Sequence, residues 1–311
     1  MSPIKKYGHH KVAFVLMIVV TILWGGGYSA AQLAIDDGWS VYSILFFRNS
    51  IGFLICLLFC IKTKFWKDKY SLKVGFGAGV IFFVAYAFQL EGQKLTSIPN
   101  TAFITTCGLV FVPIILRIVF KNKLRWTVVL AFVLEIIAAL VLSFTHEVAF
   151  HIGDALVLVG AFLFAVHIIF IDKKAKDLNP IVITCVQLFT MGVLAGISII
   201  IRSDPLTGGP KGWPGILFCA LFATAFCSAG QYWAQKHLSP NETSIIMSQE
   251  GLFATIISII LYGEVITVNL VVGAVLVTIA IFLIQVQVKN GKKIPVKNLE
   301  TPVKNDIIDD T

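Results

Sequence analysis

The sequence predicts an all-α integral membrane protein of ten transmembrane helices, arranged as two inverted five-helix repeats. Three observations lead there. First, 57% of the 311 residues are hydrophobic and only 14% charged, with a mean hydropathy of +0.87, more apolar than a soluble domain of this length requires. Second, the apolar residues fall in ten runs, each near the ~20 residues that cross ~30 Å of hydrocarbon as a helix. Third, a polar pattern recurs: Gln89, Gln93, Lys94, Pro99 and Asn100 return as Gln231, Gln235, Lys236, Pro240 and Asn241, offset by 142 and then 141 residues.

The runs lie at 12–34, 41–62, 72–93, 98–120 and 124–145, then 152–172, 181–201, 213–235, 242–262 and 266–288. Each must be a helix, because lipid offers no partner to a free backbone amide and the runs are twice too long for barrel strands. The first exceeds a signal-peptide core and continues through Gly25-Gly26-Gly27, so it reads as a retained helix. Those glycines, and Pro113 in the fourth run, permit close approach and bending. In the third run Tyr86, Gln89 and Gln93 share a helical face, and in the eighth Ser228, Gln231 and Gln235 share the equivalent one. Gly75-x-x-x-Gly79 and Gly192-x-x-x-Gly196 are packing ridges that allow a homodimer without requiring one. All six cysteines lie within apolar runs, form no C-x-x-C pair, and read as small packing residues. The chain thus divides into a short N-terminus (1–11), repeats over 12–145 and 152–288, and a polar tail (289–311) that reads as a disordered extension.

Charge orients the chain. With the N-terminus inside, twenty-one of the 25 Lys and Arg fall in inner segments (Lys5 to Lys11, Lys62 to Lys73, Arg117 to Arg125, Lys173 to Lys176, Lys236, and Lys289 to Lys304). Outer segments hold only Lys94, Arg202 and Lys211, and Arg48 lies within a span. Both termini are therefore expected in the cytoplasm of a multi-pass cell-membrane protein. Five spans per repeat is odd, so the two copies enter the bilayer in opposite directions, and the basic 117–125 loop maps onto a 258–266 segment without Lys or Arg. The net charge of +8 is spent on topology, which leaves no solvated basic face for nucleic acid.

Against this frame stand Leu23-Trp24-Gly25-Gly26, Phe47-Arg48-Asn49, Gly108-Leu109-Val110-Phe111-Val112-Pro113, Gly153-Asp154-Ala155-Leu156, Ser248-Gln249-Glu250 and Gly263-Glu264. In order and spacing these resemble the EamA-type transporters of the drug/metabolite transporter superfamily, over roughly residues 10–288. Gly251 stands where the family often has Pro, and Lys121-Asn122-Lys123 where its first half often ends in Gly-Glu. The resemblance implies a secondary transporter of a small organic metabolite, an amino acid or related compound favoured, with export as its direction and a site between the repeats.

Candidate substrate-binding residues are Trp24, Tyr28, Tyr86, Gln89, Gln93, His167, Gln231, Gln235, Gln249 and Glu250. The glutamines either glue helices together or line a polar cavity. Glu250, about 12 Å into its span at ~1.5 Å per residue, is either a packing residue or a site for a cationic group or a proton. His167, opposite Gly27 in the repeat, is either a packing residue or a proton-coupling group. Arg48 is expected to pair with a carboxylate such as Glu91 or to snorkel outward, with a clamp on a substrate phosphate as the alternative. Glu264 reads as structural, and Glu135 suggests no role.

Other classes fit less well. No G-x-x-x-x-G-K-[ST] loop is present, so ATP does not drive the chain and no cofactor is implied. An enzyme would need a motif such as H-E-x-x-H or G-x-S-x-G, and the nearest cluster, His146-Glu147 with His151, sits in a loop. A nucleotide-sugar or sugar-phosphate carrier would need buried cations in spans 8 and 9, where the basic residues are Lys236 and His237 at one end. A lipid-flipping or sensory role is the remaining alternative. Reporter fusions test the topology: segments 36–40, 94–98, 146–151, 203–212 and 263–266 should be outside, and an outside location for 62–73 would overturn the assignment.

Overall fold

The computed structural model describes residues 3–61, 64–121, 126–143, 152–175, 177–238, 240–263 and 265–289. The 290–311 tail, the His146-Glu147-His151 cluster, Glu264 and the Glu135 side chain lie outside the described residues. Those described are all-helical, and the helices occupy the ten expected positions. In the first repeat they are α1 (Pro3–Asp36), α2 (Val41–Cys60), α3 (Lys69–Gln93), α4 (Ile98–Phe120) and α5 (Trp126–Ser143). In the second they are α6 (Ile152–Lys174), α7 (Pro180–Arg202), α8 (Trp213–Phe218, Cys219–Phe226 and Cys227–Gln235), α9 (Pro240–Met247 and Glu250–Tyr262) and α10 (Val268–Lys289). Among the described residues seven of them, α1 to α4 and α6 to α8, are by length and apolarity sufficient to cross a membrane, and α9 is broken into two shorter helices.

Local chemistry sets the ends. Ser40 caps α2 by accepting from the Ser43 amide at 3.0 Å, Ser97 caps α4 at Asn100, and Asn179 caps α7 with Pro180 in its first turn. Asp68 caps α3, and hydrogen bonds from the Ser71 hydroxyl and amide hold its carboxyl below the usual range. At the far ends Lys121, Ser203 and Gly263 take left-handed conformations that stop α4, α7 and α9.

Three helices depart from α geometry inside the bundle. In α4 a 3₁₀ turn covers Gly108–Val110, just before Pro113, whose missing N–H and bulky ring disturb the preceding turn. In α9 the helix breaks at Ser248 and Gln249, and at offset 141 Gln249 is the counterpart of Gly108, so both repeats break at the same level. The middle of α8, Cys219–Phe226, is a π-helix that has no counterpart in α3.

Packing displays the repeat symmetry. α3 lies on α6 as α8 lies on α1; α4 lies on α6 as α9 lies on α1; and the equivalent pairs α2 with α7 and α5 with α10 meet each other. Small residues allow these approaches: a Cβ on Gly25 would lie 2.9 Å from the Ala254 amide, and one on Gly160 would lie 2.8 Å from the Ala85 carbonyl. Both glycine ridges are used within the chain. Gly75 and Gly79 face Val186 and Thr190 of α7, while Gly192 and Gly196 face Ser50 and Phe46 of α2, so these ridges offer no surface to a second copy. All six cysteines are buried and none is in a disulfide, as packing residues should be.

Contacts join the two repeats at both ends of the bundle. Where α1 begins, His9 stacks on His237 at 5.3 Å and His10 meets Glu242 at 3.0 Å. Burial there, with His9 and Lys236 beside it, lowers the His237 pKa from its ordinary value. At the opposite end Asp37 accepts from the Gly212 amide at 2.7 Å, Trp39 donates to the Gly209 carbonyl at 2.9 Å, and Ser43 donates to Pro205 at 2.5 Å. Trp39 and Trp213 meet edge to face, and Arg202 reaches Glu91 and Asp204.

The glycine contacts yield a stability prediction. A methyl on Gly108 would lie 2.7 Å from the Ala161 carbonyl, whereas one on Gly196 would meet only the Phe46 ring at 3.4 Å. Gly108→Ala should cost about 1–3 kcal/mol through overpacking, seen as a lower Tm of the detergent-purified protein. Gly196→Ala should be neutral or slightly stabilising, since Ala favours helix by up to ~1 kcal/mol.

Candidate functional site

Two small cavities lie side by side between the repeats. The first is lined by Trp24, Phe82, Tyr86, Gln89, Thr105, Thr106, Leu109, Phe164, His167, Ile168, Gln231, Met247 and Glu250. The second shares Trp24, Tyr86, Gln89 and Glu250, and adds Gly27, Tyr28, Ala31, Arg48, Leu90, Gln93 and Ala223. Their volumes, about 30 and 20 Å³ of room for water centres, suit a few waters at ~10–15 Å³ each.

Each repeat contributes equivalent positions. Trp24 of α1 and Phe164 of α6 are related by the offset of 140, Gln89 and Gln231 by 142, and Leu109 and Glu250 by 141. The paired glutamines therefore do face one space. The two breaks place Leu109 within the 3₁₀ turn and Glu250 at the start of the second half of α9.

Glu250 borders both cavities, with Tyr28 beside it on the wall of the second. Tyr28 in turn accepts from Gln89 Nε2 at 3.1 Å, and the same amide reaches the Thr105 hydroxyl at 3.0 Å. Gln93 Nε2 donates to the Tyr28 carbonyl at 2.9 Å and to Gln32 at 3.1 Å. Among the described residues the Oε1 atoms of Gln93 and Gln231 are buried without a partner, so the region holds two spare acceptors.

His167 makes a separate polar knot. Its Nε2 lies 3.1 Å from Gln187 Oε1 and 3.0 Å from the Tyr232 hydroxyl, its ring stacks on Phe82 at 4.1 Å, and Tyr232 donates to Gln187. It is only 1% exposed within the protein, yet it borders the first cavity.

Two expected site residues stand apart. Gln235 is buried, donates to the Ile168 carbonyl at 3.4 Å, and borders neither cavity; Gln249 sits half-buried at the α9 break and borders neither. Arg48 requires a correction. Glu91 is engaged by Lys94 at 3.7 Å and Arg202 at 3.8 Å, while Arg48 is 3% exposed and turned inward. Its Nε donates to the Thr224 hydroxyl at 2.9 Å, and its guanidinium lies 4.5 Å over the Tyr86 ring. The π-helix supplies this contact by bringing Thr224 to α2 and the Ala223 carbonyl to Trp24 Nε1 at 2.7 Å.

Sequence reasoning also passed over Phe82, Phe164 and Thr105. Phe164 was readable as the repeat partner of Trp24; a threonine in an apolar run carries no such mark.

Comparison with known proteins gives a consistent answer. The EamA-like transporter family model matches residues 11–144 and again 151–286. An uncharacterized transporter of Archaeoglobus fulgidus is 27% identical over 272 residues, covering 88% of this chain and 85% of its own. A WAT1-related protein of Arabidopsis thaliana is 23% identical over 297 residues, covering 86% of each. One crystal structure shares the fold with a TM-score of 0.67 at 11% identity, over 90% of this chain and 98% of that one. With two matches of one family model spanning nearly its whole length, the chain belongs to the EamA-like transporter family.

Proposed function

We propose that this multi-pass membrane protein exports a small organic metabolite, an amino acid or a related amine-bearing compound, by alternating access, with Glu250 as the group that meets the substrate's cationic end or the coupling proton. The observation that carries this reading is a half-buried carboxylate, without an ion-pair partner among the described residues, bordering the space between two inverted repeats. A carboxylate at lipid depth is costly unless it has water, a proton or a cation. A transporter cycle supplies each of these in turn.

In this reading the occluded cavities are the substrate path caught closed. Opening where α1 begins separates His10 from Glu242, and opening at the far end separates Asp37 from Gly212; the two access states are related by exchanging the roles of the repeats. The aromatic wall of Trp24, Phe82, Tyr86 and Phe164 excludes water, and the spare Gln93 and Gln231 oxygens accept from an ammonium. His167 is the second titratable group for proton coupling. The basic loops support cytoplasmic termini in the cell membrane. No covalent step is required of these residues, which favours a carrier over an enzyme.

Two measurements test the proposal. In a cysteine-free background, Gln89→Cys and Gln231→Cys should react with small hydrophilic thiol reagents, at least about tenfold faster than Gln235→Cys, because only the first two positions border a cavity. Equal inertness of all three, with loop cysteines reactive, would leave the glutamines as packing residues.

Glu250→Gln keeps size and hydrogen-bonding capacity but removes the titratable charge. The variant should fold with a near-normal Tm, lose substrate binding or gradient-driven accumulation in proteoliposomes, and flatten the pH dependence of flux. Downhill exchange survives if coupling alone is lost. Normal accumulation with unchanged pH dependence would return Glu250 to a structural role.

A further inference from the structure

A third cavity lies at the end of the bundle where α1 begins, and it shares no wall residue with the other two. It has about 540 Å³ of room by the same measure and opens to the surface, since Lys64, Lys67, Asp177 and Asn179 on its wall are exposed. One side is the α2–α3 connection and the first turn of α3, with Lys64, Lys67, Asp68 and Ser71. The other is the α6–α7 connection and the first turn of α7, with Asp177, Asn179 and Val182.

At the opposite end the repeat-equivalent connections, α1–α2 and α7–α8, close on each other. Asp37 accepts from the Gly212 amide and Trp39 donates to the Gly209 carbonyl, with the Trp39 ring so near Gly208 that a Cβ there would lie 2.3 Å from it. The α6–α7 connection, Asp177-Leu178-Asn179, has no aromatic residue to do this, and the α2–α3 connection has no glycine to receive one. The space that Trp39 fills at one end is therefore open at the other. Helix packing of α3 on α6 and α7 holds the two sides of the cavity, helped by Tyr70 donating to the Lys174 carbonyl at 3.5 Å.

Charge is divided across this gap. Lys64 and Lys67 stand on one side and Asp177 on the other, and none of the three enters an ion pair among the described residues. Asp68 is spent on the α3 cap, where its carboxylate accepts from the Tyr70 and Ser71 amides and the Ser71 hydroxyl. The segments that bound the cavity also present apolar residues to the outside: Leu58, Phe59 and Ile61 at the end of α2, and Ile181 at the start of α7. Trp66 and Tyr70, exposed on the α2–α3 side, are residue types that settle at headgroup level. We infer that this cavity is a headgroup site for an ethanolamine phospholipid of the adjoining leaflet, with the phosphate between Lys64 and Lys67 and the ammonium on Asp177. Charge-assisted hydrogen bonds from the lysines suit a phosphodiester. A choline headgroup carries the same charges but has no N–H to donate to Asp177, and a glycerol headgroup brings no cation to it. Exposed charge pairs are individually weak, an effect offset by the high concentration of lipid in the bilayer. The bound headgroup ties the two connections together as Trp39 does at the other end.

The test uses the full-length protein in nanodiscs of phosphatidylcholine alone, or with part of it replaced by phosphatidylethanolamine or phosphatidylglycerol of the same acyl chains. Thermal unfolding gives the stabilisation, and native mass spectrometry gives the lipid retained. Phosphatidylethanolamine should raise the wild-type Tm by at least about 2 °C over phosphatidylcholine and stay bound through desolvation, and phosphatidylglycerol should raise it less. Combining Lys64→Gln with Lys67→Gln, or making Asp177→Asn alone, should remove that increment and leave the Tm in phosphatidylcholine unchanged. Lys73→Gln, exposed on α3 and off the cavity wall, should keep it.

Equal Tm values in phosphatidylcholine and phosphatidylethanolamine overturn the inference, as does a larger rise with phosphatidylglycerol, and these comparisons need no variant. An increment that persists in both cavity variants is an effect of the bulk bilayer, and one lost equally in Lys73→Gln is a diffuse effect of the basic loops; either result overturns the site. The same stabilisation by glycerophosphoethanolamine or inorganic phosphate in detergent identifies a soluble phosphate in place of a lipid and overturns it as well. The transport reading is judged separately, by the labelling of Gln89→Cys and Gln231→Cys, because neither position borders this cavity.

Discussion

A guanidinium and a carboxylate held at lipid depth, neither neutralising the other, are the constraint around which this bundle is built. Each costs on the order of 2.5–3.5 kcal/mol at the centre of a membrane helix by insertion scales, so the surrounding helices must supply partners. Those around Arg48 are Thr224 and the Tyr86 ring; Glu250 shares a cavity wall with Tyr28, whose hydroxyl accepts from Gln89, which also reaches Thr105. These partners come from α1, α3, α4 and α8. Helix packing and charge accommodation are thus one problem, and the close approach of α1 to α9 at Gly25 is part of its solution.

The departures from regular helix cluster at the same depth. A 3₁₀ turn in α4 and a break in α9 stand at equivalent positions, and both deliver a residue, Leu109 or Glu250, to the cavity wall. The π-helix of α8 widens the chain beside α1 and α2 and leaves the Ala223 carbonyl for Trp24. Irregular backbone is tolerated in a membrane where it lines a cavity or is buried in protein.

Much of this was legible in the sequence. Ten apolar runs gave the helices because lipid enforces helical hydrogen bonding, and the repeated Gln spacing pointed to a shared polar face because a period of three to four residues fixes a direction on a helix. Arg48 was misread for a definite reason. Periodicity in an almost uniformly apolar helix such as α2 does not reveal its rotation, so the nearer carboxylate by depth, Glu91, looked like its partner. Gln235 met the same limit: four residues after Gln231, it shares the general face, yet it points at the α6 backbone beyond the cavity edge. The π-helix left no sign at all in Cys219–Phe226, a segment of small and apolar residues.

The symmetry of the scaffold and the asymmetry of its charges answer different needs. Alternating access through inverted repeats requires that the two halves be able to exchange conformations, hence the matched packing of α3 on α6 and α8 on α1. Binding a polar ligand in one orientation requires that the halves differ where they touch it. The equivalent positions show that division: Glu250 stands opposite Leu109, His167 opposite Gly27, and Arg48, eighth residue of α2, opposite Gln187, eighth residue of α7. At each pair one half carries the ionisable group and the other does not. Had both halves kept the charge, two like charges would have faced one desolvated space; had neither, the cavity would have been an apolar seam with nothing to orient a substrate. In the proposed cycle, a duplicated scaffold that has lost charge symmetry at its centre as well as in its loops keeps the means to move and gains the means to choose.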